Sequence, residues 1–598
     1  MQRQITIAIE GCCHGALDNI YHHLQQKERT LKKKVDLLII CGDFQAIRNI
    51  TDLESMSCPN KYKQLGGFYR YYTGERVAPV PTVFVGGNHE AGNHMRELYY
   101  GGWVAPNIYY MGNSGVIRFG GLRIGGISGI FKDFDYAKGY YEKPPFRGNS
   151  RPSMHHVRSY EAFKVLQIRQ PLDIVVSHDW PQNIERFGDL KGLLRHKPYF
   201  KDEIERGDLG SPVNAMLLER LRPQWWFSAH LHSRFEAKLN SQDVLFDKGW
   251  SGIAPYNTVM PKQDSISNVD VTSAAVGDAL NTDEIAIDGF SDDSDCEGDK
   301  GGASHCSSSS AQPAAASRPR MPLNLPPPKY SAIAPQFDPS EQDTEQQPPL
   351  DTADDVSASK TTETAAAPTQ CTGDTDAKST ERQANKVSSP CVAGRATNFL
   401  ALDKCLPRRQ FLEIITVNVE DDSAQNNVQL QLEYDPEWLA ILRMCHPHMP
   451  LDEHPFIPPV EYTSSGGGSH QNLPLFSDEK LEQELEWVRD NVFTHGRVFI
   501  PPNFVPMAPV PPPGTPDTVS FGLASMYPGG NNHSHNRGGG RGGRGRGHGR
   551  GGYSQGHGRQ PEDVPWVGPR PEVIYPNPQT DELCLMIGIQ DKLTQRRY

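Results

Sequence analysis

Metal-competent side chains follow five strand-like segments of this sequence, each at the point where the apolar residues end. The segments are ITIAI (5–9), VDLLII (35–40), TVFVG (82–86), LDIVVS (172–177) and WWFSA (225–229). The side chains that follow them are Cys12, His14, Asp43, Asn88, His89, His178, His230 and His232. In open α/β sheets, ligands bind at the carboxyl ends of the strands, so we expect these side chains to converge on one site.

The chemistry of this set fits two divalent metal ions held about 4 Å apart. The carboxylate of Asp43 can give one oxygen to each ion, and His230 and His232, two residues apart, can reach different ions. Asn88 offers a neutral oxygen, which leaves the site positively charged towards a phosphodiester. Cys12 offers a thiolate, which favours Fe(II) or Zn(II) over Mg(II). Each residue alone is typical of a structural role, but all of them in this order indicate a metal centre.

The elements that must position these residues alternate between strands and helices. In ALDNIYHHLQ (16–25), the residues Leu17, Ile20, Tyr21 and Leu24 recur at helical spacing. Residues 115–130 contain two short apolar runs around Gly-Gly, which predicts an antiparallel hairpin. We therefore predict an α/β fold: a sandwich of mixed β-sheets flanked by helices, with a smaller C-terminal region and long disordered segments.

Composition changes along the 598 residues and divides the chain. Residues 1–240 hold 32 Lys+Arg against 24 Asp+Glu, a net charge of +8, whereas residues 241–393 hold 10 against 24, a net charge of -14. The acidic segment has few aromatic residues and no periodicity, which predicts disorder. The predicted regions are a catalytic domain (1–240), an acidic disordered insert (241–393), a C-terminal domain (394–500), a Pro-rich and Arg-Gly-rich disordered region (501–565) and the end of the C-terminal domain (566–598).

Two further features concern the cellular setting. The eleven cysteines show no CxxC pair or framework spacing, which favours a reducing compartment. The N-terminus reads as a first strand and not as a signal peptide, and no run reaches the roughly 18 apolar residues of a membrane span, so we expect no membrane association.

The motifs resemble those of the metallophosphoesterase family, which carries Asp-x-His, Gly-Asp, Gly-Asn-His-Glu, His and Gly-His-x-His in this order. Cys12 stands where most members have the first aspartate, and Ala229 precedes His230 where glycine is usual. Both departures resemble the lariat debranching enzymes within that family, as do GGNHEAGNH (86–94), YGGWVAPNIYY (100–110), SHDWP (177–181) and ATNFLALDKCLP (396–407). The resemblance covers residues 1–240 densely and 396–442 well.

The resemblance implies a ligand set and a reaction. Cys12, His14, Asp43 and His232 would surround one ion, and Asp43, Asn88, His178 and His230 would surround the other. The ions would be Fe(II) and Zn(II), with Mn(II) as a further candidate. The reaction would be hydrolysis of the 2′–5′ phosphodiester bond at the branch point of excised intron lariats. His89 would lie beside the scissile phosphate and protonate the leaving 2′-oxygen, since histidine is the side chain that exchanges protons near neutral pH.

Aromatic and basic residues alternate in two segments, which is typical of single-stranded RNA binding. The family places its lariat recognition loop at about 128–160, and KYKQLGGFYRYY (61–72) has the same character. Loop aromatics can equally be packed, and both readings stay open here. The predicted RNA contacts are Lys61, Tyr69, Phe131, Tyr136, Tyr140 and Arg158.

The predicted partners follow from this substrate. Branched intron lariat RNA is the first, and splicing or RNA-turnover proteins could bind the Arg-Gly tract (536–559) or the acidic insert. A lariat substrate implies nuclear localisation.

Two alternatives remain. A protein phosphatase of the same superfamily would follow Gly-Asp with a Val-Asp-Arg-Gly-like pattern, whereas Gly42-Asp43 leads into Phe-Gln-Ala-Ile. A non-catalytic RNA-binding module would not need a complete metal set. Metal-dependent cleavage of branched against linear RNA distinguishes these possibilities.

Overall fold

The computed structural model describes residues 2–146, 148–245, 395–420, 430–460, 474–519 and 574–594. Residues 246–393 of the acidic insert (241–393) and the Arg-Gly tract lie outside the described residues. All described residues belong to one compact unit. Within this part of the chain, no helix combines the length and the hydrophobicity needed to cross a membrane.

Thirteen strands occur in the described residues. They are β1 (Gln2–Glu10), β2 (Leu37–Ile40), β3 (Thr82–Phe84), β4 (Gly102–Ala105), β5 (Ile108–Tyr110), β6 (Ser114–Phe119), β7 (Leu122–Ile127), β8 (Ile174–Ser177), β9 (Trp225–Ser228), β10 (Phe235–Leu239), β11 (Thr397–Ala401), β12 (Leu412–Glu420) and β13 (Leu432–Tyr434).

The described α-helices are α1 (Leu17–Leu31), α2 (Phe68–Tyr72), α3 (Gly92–Glu97), α4 (Asp133–Tyr136), α5 (Ser150–Ser153), α6 (Ser159–Leu166), α7 (Leu190–His196), α8 (Phe200–Arg206), α9 (Pro212–Leu221), α10 (Pro436–Cys445), α11 (Asp478–Asn491) and α12 (Pro578–Met586). Short 3₁₀ helices cover Ile50–Ser55, Asn60–Tyr62, Ile184–Phe187, His446–His448 and Phe493–His495.

The strands form two mixed sheets, as the alternation of strands and helices predicts. One has the order β12-β1-β2-β3-β5-β4 and the other β10-β11-β9-β8-β7-β6-β13. The pairs β1–β2, β2–β3, β7–β8 and β8–β9 are parallel, so the five predicted strands end on the same side of their sheets. The Gly-Gly hairpin is confirmed as β6 and β7, with Gly120 and Gly121 at positive φ in the turn.

Successive side chains along each strand point alternately to the inner and the outer face of the sandwich. Ile5, Ile7 and Ile9 of β1 join one core cluster that also contains Ile124 and Val176 of the other sheet, so the two sheets pack face to face. Ala8 points the other way, into a cluster with Leu17 and Ile20 of α1. Each fully buried isoleucine stabilises the fold by about 1.5–3 kcal/mol. The result is the predicted sandwich with helices on its outer faces.

Strands from beyond the acidic insert complete both sheets. β12 pairs antiparallel with β1 over nine residues, from Gln2 opposite Glu420 to Glu10 opposite Leu412. β11 lies between β10 and β9, and β13 pairs with β6. The sequence predicts a smaller C-terminal region, and in the structure the strands of this region belong to the same two sheets as those of residues 1–240.

Two later segments also pack on this sandwich. Residues 501–519, whose proline-rich composition predicts disorder, instead lie against α2, where Asp517 pairs with Arg70 at 2.5 Å. Gln579 of α12 accepts from the backbone N–H of Trp103 at 2.7 Å and donates to its carbonyl at 2.9 Å. The described residues on both sides of the Arg-Gly tract therefore pack on the two-sheet sandwich.

Candidate metal centre

Four of the predicted ligands, which follow the ends of strands, have an unusual backbone conformation. His14, Asp43, His230 and His232 have φ values of 45°, 45°, 59° and 46°, in the left-handed region that costs a non-glycine residue roughly 1–2 kcal/mol. Such residues persist only where their surroundings hold them, and they cluster at functional sites. Gly42, before Asp43, has φ 117° and leaves no space for a Cβ, which would come within 2.2 Å of Nδ1 of His178.

Four of the predicted ligands form one donor group. One ligand atom from each of Cys12, His14, Asp43 and His232 lies within 4.8 Å of all the others. Nε2 of His14 is 3.3 Å from Nε2 of His232 and 3.6 Å from Oδ2 of Asp43. Converging imidazole nitrogens, a thiol and a carboxylate are the donor set of a transition-metal ion. These residues therefore fit a divalent metal.

The remaining three predicted ligands lie on the other side of Asp43. Nε2 of His178 is 3.4 Å from Oδ1 of Asp43 and 3.3 Å from Oδ1 of Asn88. The rings of His178 and His230 are 4.9 Å apart. Because Oδ2 of Asp43 faces His14 and Oδ1 faces His178, the carboxylate lies between the two groups, where a bridging ligand would be.

Hydrogen bonds fix how these ligands point. Nδ1 of His178 is 2.9 Å from the carbonyl oxygen of Cys41, which can only accept, so Nδ1 carries a proton and Nε2 is the ring atom that would bind a metal ion. Glu90 accepts from the backbone N–H groups of Phe44 and Gln45, both at 2.7 Å, and from that of Gly87 at 3.0 Å. Glu90 thus ties the loop that carries Asp43 to the loop that carries Asn88.

Sequence reasoning gave Glu90 no role, although it is the last residue of Gly-Asn-His-Glu. Burial raises the pKa of Glu90 to about 7, against the lowering effect of its three N–H donors. The motif already contains Glu90, but the role of Glu90 in positioning the ligands depends on which loops meet there.

Electrostatics in the site keep the carboxyl group of Asp43 ionised. Burial opposes ionisation of Asp43, but the imidazoles of His178, His89 and His14 hold its pKa well below the ordinary value. Burial lowers the pKa of His230 to about 3, which leaves its imidazole neutral.

The thiol of Cys12 lies in the same buried surroundings. Burial first, and then the carboxylate of Asp43, raises the pKa of this thiol well above its usual range. A metal ion must therefore displace a proton from Cys12 when it binds.

His89 lies beside the donor groups. Its backbone N–H donates to Oδ1 of Asp43 at 3.0 Å, and its ring centroid is 5.7 Å from that of His14. The side chain is largely buried. This placement next to both donor groups is what the predicted role as general acid requires.

Two of the predicted RNA contacts are accessible. Lys61 is exposed and Phe131 is half-buried. Phe134, close to Phe131 in the recognition loop, is 60% exposed and is a further candidate for stacking on a base.

The other four predicted RNA contacts are corrected by burial: Tyr69, Tyr136, Tyr140 and Arg158. Arg158 donates to the carbonyls of Asp135 and Ser153, both at 2.7 Å, and the hydroxyl of Tyr69 donates to the carbonyl of Thr515 at 2.6 Å. Sequence alternation could not separate these from accessible residues, because the partners come from elsewhere in the chain. In the structure they hold the loops together and offer no face to a base.

Known families and relatives match the chain on both sides of the acidic insert. Residues 5–234 match the family described as calcineurin-like phosphoesterase, and residues 394–526 match the family described as lariat debranching enzyme, C-terminal domain. A lariat debranching enzyme of Schizosaccharomyces pombe is 37% identical over 515 residues, which cover 84% of this chain and 90% of that protein.

Two further relatives match a shorter part. Lariat debranching enzymes of Homo sapiens and Arabidopsis thaliana are 55% identical over 245 residues and 54% identical over 233 residues. These alignments cover 41% and 39% of this chain, and 45% and 56% of the respective relatives. The identity is therefore higher in these shorter alignments than in the longer one.

Proposed function

We propose that this chain, which belongs to the lariat debranching enzyme family, hydrolyses the 2′–5′ phosphodiester bond of branched intron RNA so that excised lariats become linear. The observation that carries the proposal is the donor group of Cys12, His14, Asp43 and His232 at the strand ends of a phosphoesterase sandwich. Its thiol stands where the general phosphoesterase pattern has a carboxylate.

The chain's residues would divide the work at the scissile phosphate. Cys12, His14 and His232 with Asp43 would hold one divalent ion, and Asn88, His178 and His230 would complete a second site on the opposite oxygen of Asp43. When bound, divalent ions supply the positive charge that polarises a phosphodiester and eases the ionisation of water. The thiol and the imidazoles favour Fe(II) and Zn(II), with Mn(II) as a further candidate.

His89 would supply the proton that the departing 2′-oxygen needs. It follows Asn88 directly, and its backbone is fixed by the hydrogen bond to Asp43. A general acid positioned in this way contributes a factor of about 10²–10⁴ to the rate.

Accessory binding and localisation belong to the same proposal. The six arginines of the Arg-Gly tract would bind RNA with little sequence preference, and this tract or the acidic insert would recruit splicing or RNA-turnover proteins. Because the substrate arises from splicing, the protein would act in the nucleus.

The test compares a branched RNA with a linear RNA of the same nucleotides, with and without a chelator. The proposed function requires metal-dependent cleavage of the branched RNA alone. Cleavage of both RNAs would point to a general nuclease, and binding without cleavage would point to an RNA-binding module. A phosphoserine peptide tests the protein phosphatase alternative, and elemental analysis of the purified protein identifies the ions.

A further inference from the structure

A loop from the C-terminal half of the chain lies directly against the ligand Cys12. The backbone N–H of Cys12 donates to the carbonyl of Asp403 at 3.4 Å, and the N–H of Cys405 donates to the carbonyl of Cys12 at 3.3 Å. Cys12 and Lys404 form an isolated parallel bridge. The loop that follows, residues 404–410 between β11 and β12, therefore begins beside the backbone of Cys12.

This loop is exposed and rich in cations. Residues 406–410 are all exposed, and among them Arg408 makes no ion pair or hydrogen bond within the described part of the chain. Arg408 lies in a turn with φ 64°, a left-handed conformation that costs an arginine about 1–2 kcal/mol. Nη1 of Arg409 is 3.5 Å from Oδ2 of Asp403 and remains 39% exposed.

A second basic and aromatic element faces the same place. Nζ of Lys197, between α7 and α8, lies 5.8 Å from the ring centroid of Tyr199, which is 40% exposed. The positive charges of Arg409, Lys197 and Lys404 all act on the carboxyl group of Asp403, so these cations lie near one carboxylate.

Cations outnumber the acidic groups that act on this surface among the described residues. The four cations are Lys197, Lys404, Arg408 and Arg409, and the carboxylates of Asp403 and Glu203 act on the neighbouring Tyr199.

We propose that Lys197, Tyr199, Lys404, Arg408 and Arg409 form an RNA-arm surface, which binds the single-stranded RNA that leaves the metal centre past Cys12. Cations that track phosphates around an exposed aromatic ring are the composition of a sequence-tolerant single-strand site. Arg408 lies four residues beyond Lys404, so it is at most about 14 Å from the residue bridged to Cys12. It contacts a phosphate a few nucleotides from the scissile bond.

The inference rests on the proposed function and adds a contact that acts on an RNA arm, outside the reacting atoms. Two consequences separate it from a structural role. Loss of a cation should raise KM and leave kcat unchanged, because the metal centre is untouched. The loss should also depend on whether the RNA has an arm long enough to reach the surface.

The experiment uses the full chain and two branched RNAs, one with single-stranded arms of about ten nucleotides and one trimmed to a single nucleotide on each arm. The variants are Arg408→Gln, Lys197→Gln and their double mutant. Lys34→Gln is the matched control, because Lys34 is 89% exposed and precedes β2, at the opposite end of the strand from Asp43.

The slope of log affinity against log salt is about -0.7 per single-strand phosphate contact, so each lost contact costs about fivefold in kcat/KM at 0.1 M salt. We expect this loss on the long-armed RNA only, with the salt slope reduced by about 0.7 per cation removed. Equal losses of kcat/KM on both RNAs would overturn the proposed RNA-arm surface. So would variants whose kcat/KM and salt slope match those of Lys34→Gln. Failure of the wild-type chain to cleave the 2′–5′ bond of either RNA would instead refute the proposed function.

Discussion

Alanine substitutions at the two adjacent glycines before Asn88 are expected to have different effects on activity. A Cβ at Gly87 would lie 2.2 Å from Oδ1 and 2.4 Å from the backbone nitrogen of Asp43, and 2.8 Å from Nε2 of His178. A Cβ at Gly86 would meet its nearest atoms at 3.5–3.6 Å, which is ordinary contact. Neither glycine is among those with positive φ, so space alone distinguishes them.

The size of the effect at Gly87 follows from these distances. An ordinary contact begins at 3.4 Å, so Asp43 or the loop must move by about 1.2 Å to accept the methyl group. Misplacing a reacting group by about 1 Å can cost 10²-fold, which is about 2.7 kcal/mol of activation free energy. We expect Gly87→Ala to lower the turnover of branched RNA at least about 100-fold and to reduce the metal content.

The assay is single-turnover cleavage of branched RNA, with elemental analysis and thermal unfolding of the same preparations. Gly86→Ala should keep its metal and stay within about threefold of the wild-type rate. Its thermal stability should not fall, since alanine reduces the entropy of the unfolded chain. Full activity of Gly87→Ala would refute the placement of Asp43, and equal damage at Gly86 would show that the loop tolerates no change at all.

Two other substitutions test separate parts of the molecule. His89→Ala should lose about 10²–10⁴ in turnover at unchanged metal content; turnover close to wild type would exclude it as the general acid. Asp435→Asn should cost about 1.5–3 kcal/mol in urea unfolding at pH 7, because it removes one of the two carboxylates that pair with the buried guanidinium of Arg123, at 2.8 Å, and leaves only Glu437 at 2.9 Å. Burial opposes ionisation of Asp435, but Arg123 and Arg118 hold its pKa below the ordinary value, so the stabilisation is present above about pH 4 and is lost as the pH falls further. The wild-type advantage should therefore shrink below pH 4, and an unchanged difference there would contradict this assignment.

The sequence could predict the ligands of the candidate metal centre because each follows its own short apolar strand. The motif and the strand are contiguous, so the position of His178 or Asp43 at a strand end needs no knowledge of distant residues. Parallel pairing then brings those ends to one edge. The Gly-Gly hairpin was predictable for the same reason, since its turn and its two strands are local.

The accessibility of the aromatic residues was not predictable in this way. Tyr69 and Phe134 occur in similar alternations of aromatic and basic residues, yet one is buried against residues around 515 and the other is 60% exposed. Whether a side chain is covered depends on segments that pack on it from far along the chain, and composition carries no information about which segments those are.

The candidate metal ligands, the α/β class and the charge division of the chain could therefore all be predicted from the sequence. Only the tertiary structure decided that β11, β12 and β13 complete the catalytic sheets and that residues 404–410 reach Cys12. The physical reason is that a strand's hydrogen-bonding edge accepts any strand of suitable register, so pairing across the 167 residues between Ala229 and Thr397 leaves no local pattern. Register and partner are fixed when the two apolar faces close on each other.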